Sequence, residues 1–326
     1  MKILKRISAL VLVLVMAVGF TACSNGNTKS NEIHIGYFNN VTHPQALLMK
    51  SEKLLGDSLD EGTTVKWTAF NAGPAEQEAL FSGNIDIGYI GPVPAITANS
   101  KSLGDVVILS GATKGGAVLV KRRGTDINSV KDLANKNVAI PQIGNTQHLC
   151  LLDLLEQNGL KPTTEGGNVT ISAVANADVA NTMERGDIDA ALVPEPWGAT
   201  LLSQGAELVL DYDEVFLEGK YDVAVVVVRK EFLENNPELV EKFLEAHNLA
   251  TERINSDTDS SLEIINKELD EATGKSLSES IIKEAFSRIG VSTEINKDSI
   301  SKFAQISQNQ EFIDEIPEDD ALYAKQ

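Results

Sequence analysis

Cysteine, aromatic residues and positive charge are all scarce in this chain of 326 residues. Two cysteines, Cys23 and Cys150, leave no room for a disulfide framework. Lys and Arg number 28 against 47 Asp and Glu, for a formal charge of −19. That balance argues against nucleic acid and against adsorption to anionic lipid. The chain has no Gly-x-Ser-x-Gly elbow, no His-Glu-x-x-His helix and no phosphate loop with its lysine. The expectation is a protein that is not an enzyme and needs no cofactor or metal. His43 with His148 is the one candidate metal pair, and no further His or Cys accompanies them. No run after Phe20 is apolar enough to span a bilayer.

What is present begins with an export signal. Lys2, Lys5 and Arg6 precede an apolar run from Ile7 to Phe20, followed by Phe20-Thr21-Ala22-Cys23. A cysteine after a small residue at the end of such a run resembles the bacterial lipobox, with residues 1–22 as signal peptide. Cys23 is then the lipidated first residue of the mature chain, and residues 23–31 are a small, polar tether. The alternative is an ordinary signal peptide with a stray cysteine. Either way the body is extracytoplasmic, and in the first case it is anchored to the cell membrane by lipid. Cys150 falls in the helical run Leu149 to Leu155 and reads as a small core residue.

From Glu32 to Tyr212 short β-rich runs alternate with helical ones, the mark of an α/β protein with mostly parallel sheets. Strands are expected at 33–37, 65–70, 85–90, 138–140, 169–171 and 188–193. Beyond about Glu231 the pattern turns to amphipathic helices. Asn236-Pro237-Glu238 opens one of them, with Leu239, Phe243, His247, Ala250 and Ile254 on one face. His247 is therefore expected to pack rather than to bind.

A repeat runs through the first two thirds. Ser82-Gly83-Asn84-Ile85-Asp86 returns as Arg185-Gly186-Asp187-Ile188-Asp189, 103 positions on. At the same displacement Phe70-Asn71-Ala72-Gly73 falls on Ala173-Val174-Ala175-Asn176, and Gly91-Pro92-Val93-Pro94 on Pro194-Glu195-Pro196-Trp197. With two extra residues, Asn40-Val41-Thr42-His43 falls on Asn145-Thr146-Gln147-His148. Two related halves facing one another would enclose a ligand at the carboxyl ends of their strands.

The turns at those ends carry helix-start chemistry. Thr42 and Gln45 have capping-box spacing, and proline stands at the expected first helical position in Gly73-Pro74, Gly91-Pro92 and Glu195-Pro196. Residues 39–45, 71–76, 90–95, 144–148 and 194–198 contain no Lys or Arg. An anion there would be held by backbone N–H groups, hydroxyls, amides and the two histidines. The candidate ligand-binding residues are Asn39, Asn40, Thr42, His43, Gly73, Pro74, Gly91, Pro92, Asn145, Thr146, Gln147, His148, Glu195 and Trp197. Glu195 would repel a bare anion, so its presence favours a zwitterion carrying an amine. The other reading has Glu195 facing solvent or paired with a distant lysine. Tyr37, Phe38 and Tyr89 adjoin the same turns, with core packing as their expected role.

The segments Phe70 to Pro74, Gly83 to Gly88 and Gly91 to Pro94 together resemble the aliphatic-sulfonate, taurine and nitrate binding proteins. Val130-Lys131-Asp132-Leu133, Val138 to Pro141, Gly186 to Ala190 and Pro194 to Trp197 extend the resemblance. The family implies a two-lobe type II periplasmic-binding-protein fold with a helical C-terminal segment. It places the first lobe at 32–116 plus 217–326 and the second at 117–216, with crossings near 117–120 and 223–226. It also implies a monomer that captures a small solute and delivers it to an ABC permease and, through it, an ATPase. Aliphatic sulfonate or taurine is the expected guest, then nitrate. The alternatives are a pyrimidine-type heterocycle, or a small-molecule enzyme on the same fold. Proteins that make the thiamine pyrimidine are similar but carry a cysteine cluster that this chain lacks.

Overall fold

The computed structural model describes residues 31–325. The export signal, Cys23 and residues 24–30 lie outside the described residues. In chain order the strands are β1 (Glu32–Phe38), β2 (Thr64–Phe70), β3 (Ile87–Ile90), β4 (Val106–Gly115), β5 (Ala117–Lys121), β6 (Asn137–Ile140), β7 (Thr170–Ala173), β8 (Ala190–Pro194), β9 (Glu207–Leu210), β10 (Asp222–Arg229) and β11 (Ile289–Val291). All six expected strands are among them.

They form two sheets, ordered β11-β4-β10-β3-β1-β2 and β7-β6-β8-β5-β9. Strands β2, β1 and β3 run parallel, as do β7, β6 and β8. Strands β10, β4, β5 and β9 join antiparallel, so the sheets are mixed rather than mostly parallel. The added strands flank the points where the chain passes between sheets. The first passage is Gly115–Gly116, both at positive φ, and a Cβ on Gly115 would press on the Arg288 carbonyl. The return lies between Leu210 and Asp222, ahead of the expected 223–226.

Burial explains the strand sequences. Val223 to Val228 is buried on both faces, as a covered central strand requires, whereas edge strand β2 alternates half-buried with exposed residues. Ile33, Ile35, Leu47, Tyr89 and Phe243 pack together in the core of the first sheet. Phe243→Ala there would remove about 3–5 kcal/mol. Phe243 lies on the helix Pro237–Ser256, with His247, Ala250 and Ile254 buried beside it and Leu239 half-buried. His247 bonds the Tyr89 hydroxyl through Nδ1 at 2.8 Å and the Gly111 carbonyl through Nε2 at 3.0 Å. Its packing role is as expected. Among the described residues no helix is long and apolar enough to cross a membrane.

The sequence repeat is visible in the hydrogen bonds. Asp86, just before β3, accepts from the His34 N–H and pairs with Arg229 at 2.7 Å. Asp189, 103 positions later, accepts from the Asn137 N–H and pairs with Arg122 at 2.9 Å. Each arginine also bonds the carbonyl before its aspartate, Ile85 or Ile188. The same brace ties the same three strands in both sheets.

Candidate functional site

Four helices begin around one small cavity. They are Pro44–Ser51, Gly73–Phe81, Pro92–Lys101 and Thr146–Gln157, and their caps His43, Ala72, Gly91 and Asn145 all line it. Three come from the first sheet and one from the second. The cavity is narrow, about 20 Å³, with room for little more than a water. No Lys, Arg, Asp or Glu lines it among the described residues. Unopposed helix N-termini concentrate partial positive charge and free N–H groups there, an environment for an anion.

The side chains add donors. His43 accepts the Phe38 N–H on Nδ1 at 3.1 Å, which leaves its proton on Nε2. Burial pulls this ring down to about 3, which leaves it a neutral donor available to a guest. Thr146 Oγ1 is buried and has no partner. It sits where a Cβ on Gly91 would strike it, so glycine alone permits the approach of these two loops. Gln147 and Thr42 complete the polar wall, and the Thr42 carbonyl is held by the Thr113 hydroxyl at 2.6 Å. Asn145 caps its own helix, accepting from the His148 N–H at 2.8 Å. The side chains of the three other caps make no bond to their own helices. The capping box expected from Thr42 and Gln45 is thus not formed. Gln45 is drawn instead to the Ala112 carbonyl at 2.8 Å, a stronger claim on a buried amide.

Asn40 spans the cleft, accepting from Trp197 Nε1 at 2.8 Å. Trp197 does not reach the inner cavity; it lines a larger outer space, together with Asn39. His148 repeats the geometry of His43, accepting the Gly144 N–H on Nδ1 at 3.1 Å, but stacks on Phe312 and lines neither space. Burial pulls it down to about 4. Pro74 and Pro92 stand behind their glycines and line neither space. Phe38 does line the inner cavity, whereas Tyr37 and Tyr89 are core residues.

Glu195 departs furthest from expectation. It is fully buried, lines neither space, and accepts from the Ala199 N–H at 2.9 Å and from Arg288 at 3.1 Å. Burial pushes its carboxyl up, against the Ala199 N–H and Arg288, which favour the charged form. Glu195 is therefore not free to receive the amine of a zwitterionic guest. The partner is an arginine from the C-terminal segment, not solvent and not a lysine. Arg288 also holds Asp211 and Glu284, tying the C-terminal segment to the chain before β10.

Sequence reasoning left Asn71, Asn176, Pro94, Pro141, Pro194 and Val223 out of the site, though all line the inner cavity. Asn176 was within reach, because it lies 103 positions after Gly73.

Two sheets of matching strand order, with helix starts converging between them, define the periplasmic-binding-protein fold. A model described as the NMT1-like family matches residues 26–266, and the chain belongs to that family. It is 34% identical over 186 residues to the taurine-binding periplasmic protein of Escherichia coli, covering 56% of this chain and 55% of that protein. It is 31% identical over 180 residues to a putative aliphatic sulfonates-binding protein of the same organism, covering 55% and 54%. The chain thus spans about half the length of these curated relatives. Among solved structures, the alkanesulfonate-binding protein SsuA from Xanthomonas axonopodis pv. citri bound to MOPS superposes with a TM-score of 0.73. That likeness covers 89% of this chain and 96% of the other at 21% identity. The nitrate-binding protein NrtA from Synechocystis gives 0.68, covering 87% and 82% at 16% identity, and shares the fold.

Proposed function

We propose that this chain is the extracytoplasmic solute-binding subunit of an ABC importer, and that it captures a small sulfonate-class anion between two lobes. The lobes are 32–116 with 217–326, and 117–216. Cys23 carries the lipid that holds the monomer at the membrane, beside the permease and its ATPase. The single observation that carries the ligand class is the crown of four helix starts with no counter-charge and an unpartnered Thr146 hydroxyl. Hydrogen bonds to a charged group contribute roughly 1.5–3 kcal/mol each, so four or five reach the ~8 kcal/mol of micromolar binding after association costs. The relatives' names, taurine-binding and aliphatic sulfonates-binding, support the same class. Nitrate, named for a protein of the same fold, is the smaller alternative.

A melting panel with taurine, ethanesulfonate, longer alkanesulfonates, nitrate and a pyrimidine tests this. A sulfonate at 100 times its dissociation constant should add about 2.7 kcal/mol of stability. Thr146→Val should weaken each sulfonate about tenfold, the loss of one hydrogen bond to a charge. A shift with the pyrimidine alone, or turnover of any compound, would remove the reading.

A further inference from the structure

The inner cavity opens outward. Asn40, Asn71 and Asn176 line both it and the outer space, which is open to solvent and holds about 460 Å³. The outer walls are largely apolar, with Phe70, Trp197 and Leu201 joined by Leu269, Leu277 and Ile281 from the C-terminal helices. No carboxylate lines either space among the described residues, and the one charged side chain on the outer wall is Lys275. Lys275 also lines an adjoining groove with Arg122 and Arg123. Asn176 Oδ1 at the neck and Asn39 Oδ1 on the outer side are buried without a partner.

These features describe three zones in sequence: an anion crown, a neck of asparagine amides, and a long apolar chamber with one cation. We infer that the guest is an N-acylated aminosulfonate, with its sulfonate in the crown, its amide at the neck and its acyl chain in the chamber. The inference rests on the anion reading of the crown. An amide offers both an N–H and a C=O, so it satisfies asparagine side chains in either orientation. A free ammonium at the neck would find amide oxygens but no carboxylate to offset its charge, and the one charge on the outer wall, Lys275, has the same sign. Of the acids close to these turns in sequence, Glu195 is engaged by Arg288 and Glu76 is buried against Gly36 and Gly88. Taurine itself is therefore a poor guest, although a taurine-binding protein is a relative. An apolar chain in the chamber gains about fourfold in affinity per methylene removed from water.

Calorimetry on the purified chain with ethanesulfonate, taurine and N-hexanoyltaurine tests the inference. N-hexanoyltaurine is expected to bind at least tenfold tighter than ethanesulfonate, and taurine no tighter than ethanesulfonate. Leu277→Ser should weaken N-hexanoyltaurine severalfold and change ethanesulfonate less than twofold. Lys275→Glu should move the taurine-to-ethanesulfonate ratio toward taurine by about threefold or more, as expected for a partly exposed charge. If ethanesulfonate binds but the acyl chain adds nothing, or if taurine binds tenfold tighter than ethanesulfonate, the inference is overturned and the anion crown stands. If none of the three binds, the anion crown falls, and the inference with it.

Discussion

The two sheets solve one packing problem in two ways. In the second, Ala139 and Ala191 are register partners on β6 and β8, and Val179 is buried 40 residues after the first of them. In the first, the equivalent positions 103 earlier are Gly36, Gly88 and Glu76, and Gly36 and Gly88 are again register partners. A Cβ on either glycine would collide with Glu76 Oε1. The loss of two methyl groups thus makes room for a longer side chain. That side chain is a fully buried carboxyl, and neither of its oxygens has a partner. Burial pushes it well above the usual 4.5, which favours the neutral acid. A shared backbone plan does not dictate a shared interior. The smaller residue on the strands and the larger one on the helix change together, because total volume is what a core conserves.

The strongest test of this comparison acts on what the two halves share. Asp86 and Arg229 are 10% and 21% exposed in their side chains, whereas Asp189 and Arg122 are 23% and 34% exposed. Asp86→Ala should cost about 3 kcal/mol in urea denaturation, near the lower end for a buried pair losing one partner. Asp189→Ala should cost about 1 kcal/mol, closer to a surface pair. Equal losses would mean that the two braces are not graded by burial.

Next in size is the point where the halves differ. Gly36→Ala should destabilise by about 2 kcal/mol through overpacking, and adding Glu76→Val should recover most of it. The acid also sets a pH dependence. An unfolded chain releases the Glu76 proton near 4.5, while the native state keeps it to higher pH. Its stabilising contribution is present below 4.5 and is lost as the pH climbs toward the native value. Asp222, pushed up to about 6 by burial, adds a slope of the same sign between 3.8 and 6. Unfolding free energies of wild type and Glu76→Val across pH 4 to 9 isolate the Glu76 share, and parallel curves would show that Glu76 is not the group involved.

The smallest effect concerns position 195, which lies 103 residues after Pro92. Glu195→Gln leaves Arg288 with Asp211 and Glu284, so the expected cost is about 1 kcal/mol in melting. The taurine-to-ethanesulfonate affinity ratio should stay within twofold. A larger change in that ratio would return Glu195 to the ligand.

Much of the fold was legible because its signals are local and periodic. Six strands, the 103-residue repeat and the helix opening at Pro237 all rest on spacing and on proline placement. Of the fourteen candidate residues, Asn40, Thr42, His43, Gly73, Gly91, Asn145, Thr146 and Gln147 line the inner cavity, and Asn39 and Trp197 line the outer space. The rest depended on contacts between distant segments. His148 stacks on Phe312, 164 positions away, and the chamber wall is finished by Leu269, Leu277 and Ile281. No window of sequence brings those residues together.

By itself the sequence determined, to within a residue, which turns open into helices and that no cation stands at those starts, because prolines and charge are properties of a few adjacent residues. Only the tertiary structure decided what each carboxylate meets. Arg288 arrives beside Glu195 from 93 positions downstream, and Glu76 turns inward against two glycines on neighbouring strands. The electrostatics of a buried acid belong to its neighbours in space, and those are chosen by packing.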